Sequence, residues 1–380
     1  MQAKENSSSP GSVCPPLIRP VMPELDAIRG LAIIGVLFYH GLYWNVELTK
    51  FPHFARLIFT AFWLGRQGVN LFFVLSGFLI TGILLDSRSR PDYYRRFYIR
   101  RILRIVPAYF LTLLILVVFT HTPWNSIGLS LLYLSNIAPL LGVSIGYPVL
   151  WSLAVEEHFY LVWPAIVRKF GLRGLMLCCG VIILASPLSR LVTFLNGEKN
   201  GFVRYVCNEY TWNSADGLAC GALFAIYLRL CAPTRPRLIQ QLVATVVLAF
   251  SVWSIAMPWG IWTRQRPVGA ALQVVPLQFL FVAVLAFFLI VGTSDWADFV
   301  RPKTLIFFGE ISYGLYLYHL LVFALVDYIA KKCSWPLIST QNPLTLLIRF
   351  SVSCLVAVLL SAISRRLFED RFLAMKYRLT

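Results

Sequence analysis

The chain is 380 residues long, 58% hydrophobic and 13% charged, with a mean hydropathy of +0.71. That apolar share excludes a soluble domain, whose core could not hide it, and makes the bilayer part of the solvent. A formal net charge of +17 would suggest nucleic acid in a soluble protein, but the basic residues gather in short segments between long apolar runs; this is the positive-inside pattern, and no nucleic-acid partner is expected.

Residues 1–22 are rich in Ser and Pro, lack an apolar core and read as a flexible cytoplasmic segment with no cleavable signal peptide; the first apolar run is long enough to stay inserted as an anchor. Stretches able to cross a bilayer follow near 28–45, 68–85, 103–119, 148–167, 174–192, 214–230, 238–257, 271–291, 306–329 and 344–363, ten in all. The apolar run 127–142 is short, holds Asn136 and Pro139, and would break the charge alternation if it crossed, so it reads as an interfacial or re-entrant piece. Basic clusters within 88–104, 168–173, 229–237 and 301–303, together with an even number of spans, put both termini in the cytoplasm. The expected architecture is an all-α polytopic membrane bundle over residues 23–366, followed by a short basic cytoplasmic tail, 367–380. No internal repeat and no Gly/Ser linker marks a second domain. The eight cysteines show no metal-ligand spacing, and Cys178, Cys179, Cys220 and Cys354 lie in apolar runs where they behave as small hydrophobes; no metal site is expected.

Ionisable groups inside spans are costly and mark either a function or a buried pair. In LDAIRGLAIIGVLFYH, Arg29 and His40 stand eleven residues apart, which returns both side chains to within ~20° of one helix face, ~16 Å apart along the axis. A cation at the mouth and an imidazole at the end of a slot suit a rod-like substrate with an anionic head and a reactive far end, the shape of acyl-coenzyme A. An imidazole can also take a proton from a hydroxyl at neutral pH. The plainer reading is a histidine bonded to a neighbouring helix and an ordinary inside-positive arginine. In DYYRRFYIRRILRIVPAYF, Arg101 and Arg104 share a helical face and form a fork for phosphate oxygens, or simply stop-transfer charge. In YPVLWSLAVEEHFYLVWP, Glu156 and Glu157 point ~100° apart, so at most one of them faces a cavity shared with His40, where it could orient the imidazole as a carboxylate does in a triad. Asp216 and His319 complete the intramembrane candidates. Gly217 and Gly221 have packing spacing, and Ser76–Gly77 reads first as a packing site, since no Gly-x-Ser-x-Gly elbow surrounds that serine. Trp44, Trp124, Trp212, Trp259 and Trp262 fit an interfacial belt or stacking against sugar rings.

Taken in order, LDAIRGLAIIGVLFYH, GVNLFFVLSGFLITGILL, RRFYIRRILRIVPAYF, LWSLAVEEHFYLVWP and GEISYGLYLYH resemble the membrane-bound acyltransferase family 3, whose members O-acetylate surface polysaccharides, lipo-oligosaccharides and some antibiotics. The resemblance covers nearly the whole chain. It implies a ten-helix bundle in a bacterial inner membrane that moves an acyl group, expected to be acetyl, from cytoplasmic acyl-coenzyme A to a hydroxyl of a carbohydrate or glycolipid acceptor, with no permanently bound cofactor. The family's arginine-x10-histidine motif falls on Arg29 and His40, its arginine-x-x-arginine motif on Arg101 and Arg104, and its glutamate on Glu157. By the same resemblance His40 and Glu157 are catalytic and Arg29, Arg101 and Arg104 bind the donor; Asp26, Ser76, Ser152, Asp216, Tyr313 and His319 are further, weaker candidates for supporting the site or binding substrate. The chain matches the form without the extra extracytoplasmic hydrolase-like domain of larger members. The competing expectations are a lipid-linked sugar transporter or flippase, and a membrane protein that binds acyl-coenzyme A or a glycan without turnover.

Overall fold

A computed structural model describes residues 17–44, 46–196, 209–336 and 342–379. Residues 1–16, most of the segment read as flexible, lie outside the described residues. Those that are described form helices joined by short connections, with no strand among them. In chain order these are α1 (Pro23–Leu42), α2 (His53–Ala61), a 3-10 segment (Phe62–Gln67), α3 (Gly68–Asp86), α4 (Tyr93–Phe119), α5 (Trp124–Leu131), a second 3-10 segment (Ser135–Leu141), α6 (Leu150–Lys169) and α7 (Leu172–Asn196). They continue with α8 (Thr211–Cys231), α9 (Arg235–Ala256), α10 (Pro267–Leu272), α11 (Val275–Val291), α12 (Lys303–Glu310), α13 (Ser312–Lys332), α14 (Pro343–Ser364) and α15 (Asp370–Leu379).

Among the described residues, nine helices or helix pairs are long and apolar enough to cross a membrane. The tenth predicted span is α6, a 20-residue helix, long enough at ~30 Å but carrying Glu156, Glu157 and His158. It packs against α3 and α8 inside the bundle, where those groups find protein instead of lipid. Apolar rows such as Leu177, Val181, Leu184 and Leu188 on α7, or Val243, Val247 and Phe250 on α9, face outward at helical spacing, as a lipid-facing stripe must. The run 127–142 is split between α5 and the second 3-10 segment, neither long enough to cross. The span expected at 306–329 is broken near Ile311: α12 and α13 are separate helices, and the long one runs Ser312–Lys332.

Glycines set the tightest contacts. A β-carbon on Gly30 would overlap the Leu305 carbonyl of α12, and one on Gly309 would overlap the Asp26 carbonyl of α1. Gly65 of the first 3-10 segment presses on Gly35 in the same way. Helix α1 is thereby held between α12 and the 3-10 segment with backbones in direct contact. Between α3 and α8, Gly77 meets the Leu218 carbonyl and Gly221 meets that of Val74.

Ion pairs tie the helices together, one of them fully buried and another reaching an exposed carboxylate. The Arg190 Nη1 of α7 lies 2.7 Å from Asp216 Oδ2 of α8 and donates to the Asn213 carbonyl at 2.6 Å, while its Nε donates to the Ala271 carbonyl at 3.0 Å. Arg349 of α14 grips Asp327 of α13 with two bonds, 2.6 and 2.7 Å, and reaches the Gly41 carbonyl at 3.3 Å. Neither arginine figured among the sequence candidates, although each is a lone cation in an apolar run. Glu24, fully buried, receives both Arg19 and Arg301. Through Arg19, and through Leu17 and Ile18 packed on the core, residues 17–22 are docked on the bundle. Beyond Ser364 a π-helical turn (Arg365–Glu369) leads into α15, which packs on α4, so the basic end of the chain is helical.

Candidate active site

Two chambers open along α1. The chamber at its N-terminal half is lined by Arg29, Ser76, Arg101, Arg104, Glu156 and Tyr160, among others. The chamber at its C-terminal half is lined by His40, Trp44, Arg66, Asn70, Glu209 and Arg264, among others. Val69 of α3 and Tyr316 of α13 line both. One layer of side chains therefore stands between them. Tyr316 is latched there, its hydroxyl 2.6 Å from Ser152 Oγ and donating to the Val149 carbonyl at 3.2 Å. Arg29 and His40, expected on one slot, line the two chambers separately.

The arginine chamber combines five helices, α1, α3, α4, α6 and α13. Arg29 Nη1 is 2.6 Å from Asp26 Oδ1, one turn earlier on α1. Arg101 of α4 lies against the rings of Phe97 and Tyr160, 5.9 and 5.7 Å from their centroids. Neither Arg101 nor Arg104 makes a hydrogen bond or ion pair with another described residue. Their guanidiniums thus present unspent donors to the cavity, the arrangement that captures phosphate or carboxylate. Tyr313 lines the same chamber, its hydroxyl donating to the Ile105 carbonyl at 2.9 Å.

On α6 the polar residues facing this chamber are Ser152, Glu156 and Tyr160, four apart and so on one face, with Leu153 beside them. Glu156 Oε1 accepts from Ser76 Oγ at 2.7 Å, and its Oε2 accepts from the Tyr160 hydroxyl at 3.3 Å. Glu157, turned ~100° away, lines neither chamber. The carboxylate in the cavity is therefore Glu156, which faces the arginines; neither glutamate lines the His40 chamber, where one of the two was expected to orient the imidazole.

The group that does meet His40 is His319. His319 is fully buried, and its Nδ1 lies 2.8 Å from the Tyr316 carbonyl and 3.1 Å from that of Leu315. Facing carbonyls alone, that nitrogen must carry the hydrogen, which leaves Nε2 of a neutral His319 as a lone pair. Nε2 is 3.2 Å from His40 Nδ1, which is also 3.0 Å from the Val36 carbonyl. Two acceptors around His40 Nδ1 put its hydrogen there. His40 Nε2 is then the unprotonated atom, and no described residue engages it. Trp44 closes one side with its ring edge-on to the imidazole, centroids 5.4 Å apart. Of the five tryptophans expected at the interface, it is the one that lines this chamber; Trp124, Trp212, Trp259 and Trp262 are exposed.

Asp216 also lines the His40 chamber, its charge already met by Arg190. Arg66, Glu209 and Arg264 were not singled out by the sequence, since they lie between spans where a charge is unremarkable. Burial pushes the carboxyl of Glu209 up to about 7, against the lowering pull of Arg66 and Arg264.

An arginine fork facing one end of a helix bundle and an unprotonated imidazole facing the other are parts suited to passing a group between an anionic carrier and a hydroxyl. Comparison with known proteins agrees with acyl transfer. The peptidoglycan O-acetyltransferase OatA of Listeria monocytogenes is 27% identical over 330 residues, covering 79% of this chain and 49% of that protein. The O-acetyltransferase OatA of Staphylococcus aureus is 25% identical over 340 residues, 80% of this chain and 51% of that one. The chain thus spans about half the length of the curated relatives it matches. No solved structure matches it. A family model described as an acyltransferase domain covers residues 22–364, and by that match, nearly end to end, the chain belongs to the membrane-bound acyltransferase family 3.

Proposed function

We propose that this protein is a membrane O-acetyltransferase that moves an acetyl group from acetyl-coenzyme A to a hydroxyl of a cell-envelope glycan, in the inner membrane of a bacterium with both termini cytoplasmic. In this reading Arg29, Arg101 and Arg104 hold the donor's phosphates from the cytoplasmic side and the acyl-bearing arm passes the level of Val69 and Tyr316. His40 Nε2 takes the proton of an acceptor hydroxyl that enters the opposite chamber. The alkoxide oxygen attacks the thioester carbonyl, the carbon–sulfur bond breaks, and the imidazolium returns its proton to the departing coenzyme A thiolate. His319, accepting from His40 Nδ1–H, stabilises the imidazolium between these steps. Glu156, with Ser76 and Tyr160, supplies negative charge beside the arginines and keeps them poised while no donor is bound.

The observation that carries this reading is the pair of chambers meeting at Val69 and Tyr316, one with unspent guanidiniums and the other with an unprotonated imidazole nitrogen. The names of the relatives support acetyl as the group and a glycan as the acceptor class. Coenzyme A release from acetyl-coenzyme A, followed in nanodiscs with glycan fragments, tests it. Release should require acceptor and should fall by about 10²- to 10⁴-fold in His40→Ala. Vesicle uptake of the glycan with no thioester consumed would assign the chambers to a transporter instead.

A further inference from the structure

We infer that the His40 chamber is shaped for an acceptor that carries an anionic group, a carboxylate or a phosphate, beside the hydroxyl to be acylated, and that Arg66 is the residue that binds it. The inference rests on the acyl-transfer reading above and adds the chemical class of its acceptor.

Arg66 belongs to the 3-10 segment Phe62–Gln67. That segment cannot drift from α1, because Gly65 sits on Gly35 and a β-carbon on Gly68 would overlap the Ala32 carbonyl. A β-carbon on Gly65 would also approach the Tyr39 nitrogen to 3.2 Å, so the segment runs directly alongside the turn that carries His40. The guanidinium next in sequence is half-buried, lines the chamber, and forms no hydrogen bond or ion pair with any described residue.

The charges around it do not cancel it. Among the described residues, the acidic and basic side chains that line the chamber besides His40 are Arg66, Glu209, Asp216 and Arg264. Asp216 is committed to Arg190 at 2.7 Å, both side chains fully buried. Glu209, with its carboxyl pushed up to about 7, is partly protonated near neutral pH. Among the described residues Arg66 is the lining cation that has no hydrogen-bonded or ionic partner, whereas Arg264 donates to Gln273 Oε1 at 3.1 Å. A neutral sugar filling this space would strip water from Arg66 and return no charge to it, a desolvation that favours its rejection. An acceptor carboxylate or phosphate would instead form charge-assisted, two-pronged bonds to the guanidinium. Because Arg66 adjoins the turn bearing His40, the same contact would set the neighbouring hydroxyl against His40 Nε2.

The test uses the full-length protein in nanodiscs, acetyl-coenzyme A, and a matched pair of glycan fragments: one bearing a ring or ether-linked carboxylate, the other its carboxyl-reduced, neutral counterpart. Wild type should prefer the carboxylate by about 10- to 100-fold in kcat/KM. Arg66→Gln should lose that preference through KM for the anionic fragment, keep its activity on the neutral one within about threefold, and leave KM for acetyl-coenzyme A unchanged; Arg66→Lys should retain part of the preference. Equal use of both fragments by wild type would overturn the inference. So would a fall in kcat on both fragments alike in a well-folded Arg66→Gln, which would make Arg66 a transition-state residue. Equilibrium binding of the same two fragments separates this inference from the reading it rests on: Arg66-dependent binding of the anionic fragment in a protein that never releases coenzyme A would preserve the anion site and remove the transferase.

Discussion

At the scale of single residues, the proposed acyl transfer turns on the His40–His319 contact. His40 Nδ1–H is shared between the Val36 carbonyl at 3.0 Å and His319 Nε2 at 3.2 Å, so removing His319 leaves the tautomer fixed by Val36. What is lost is an acceptor that gains most when His40 becomes an imidazolium, since hydrogen bonds to charged groups are worth about 1.5–3 kcal/mol against about 1 for neutral ones. His319→Ala should therefore lower kcat by about tenfold with KM for acetyl-coenzyme A unchanged, and His319→Gln, whose amide oxygen can accept, should recover much of the loss. A merely structural role predicts equal loss in both variants together with a lower melting temperature. The sequence offered His319 only as one polar residue in an apolar span, because nothing in the order of residues places it beside a histidine 279 positions away. The choice between Glu156 and Glu157 was equally closed to it: neighbours on a helix differ by ~100°, and only the positions of Ser152 and Tyr160 on the cavity-facing side tell which one enters. Arg190 and Arg349 were visible as isolated cations in spans, yet the sequence reading passed over both, although intramembrane charges as a rule seek partners inside the protein.

At the scale of elements, the bundle rests on backbones that touch. Helices gain little hydrophobic drive toward each other in lipid, so close approach at small residues carries much of their association. The small-residue spacing at Gly217 and Gly221 was legible as packing, but the details were not. Gly221 abuts the Val74 carbonyl, whereas Gly217 faces Phe73, whose Cβ lies 3.1 Å from where a β-carbon would stand. Gly77, beside Ser76, completes the joint against Leu218. Gly77→Ala should force α3 from α8 and cost about 1–3 kcal/mol by overpacking, read as a lower melting temperature in detergent. Since Ser76 and its bond to Glu156 would move with α3, donor KM should rise as well; an alanine there with unchanged melting and unchanged KM would mean that the joint relaxes freely. The break between α12 and α13 had no signal in the apolar pattern. It arises where Gly309 seats on the Asp26 carbonyl and Ser312 Oγ caps the Gly309 carbonyl at 2.8 Å, contacts set by tertiary packing.

At the scale of the whole molecule, the chambers lie toward opposite ends of the bundle, and their division by Val69 and Tyr316 carries a consequence for sidedness. In the proposed reading the phosphates of coenzyme A stay with the arginines, on one side of the layer that holds Tyr316 and its Ser152 latch. On that proposal only the acyl-bearing arm reaches His40, and donor and acceptor approach from opposite faces. The proposed orientation, drawn from the basic clusters, turns the arginine face toward the cytoplasm. In sealed proteoliposomes with one protein orientation, acetyl-coenzyme A confined to the arginine face and glycan fragment confined to the His40 face should give coenzyme A release on the donor's side. Exchanging the two compartments should abolish it, and Tyr316→Ala, by opening the layer, should admit water and raise acceptor-independent thioester hydrolysis above the wild-type background. Turnover with both substrates on the same face would show that the acceptor reaches His40 through the arginine chamber, and the division at Tyr316 would then be packing without a role in separating the two sides.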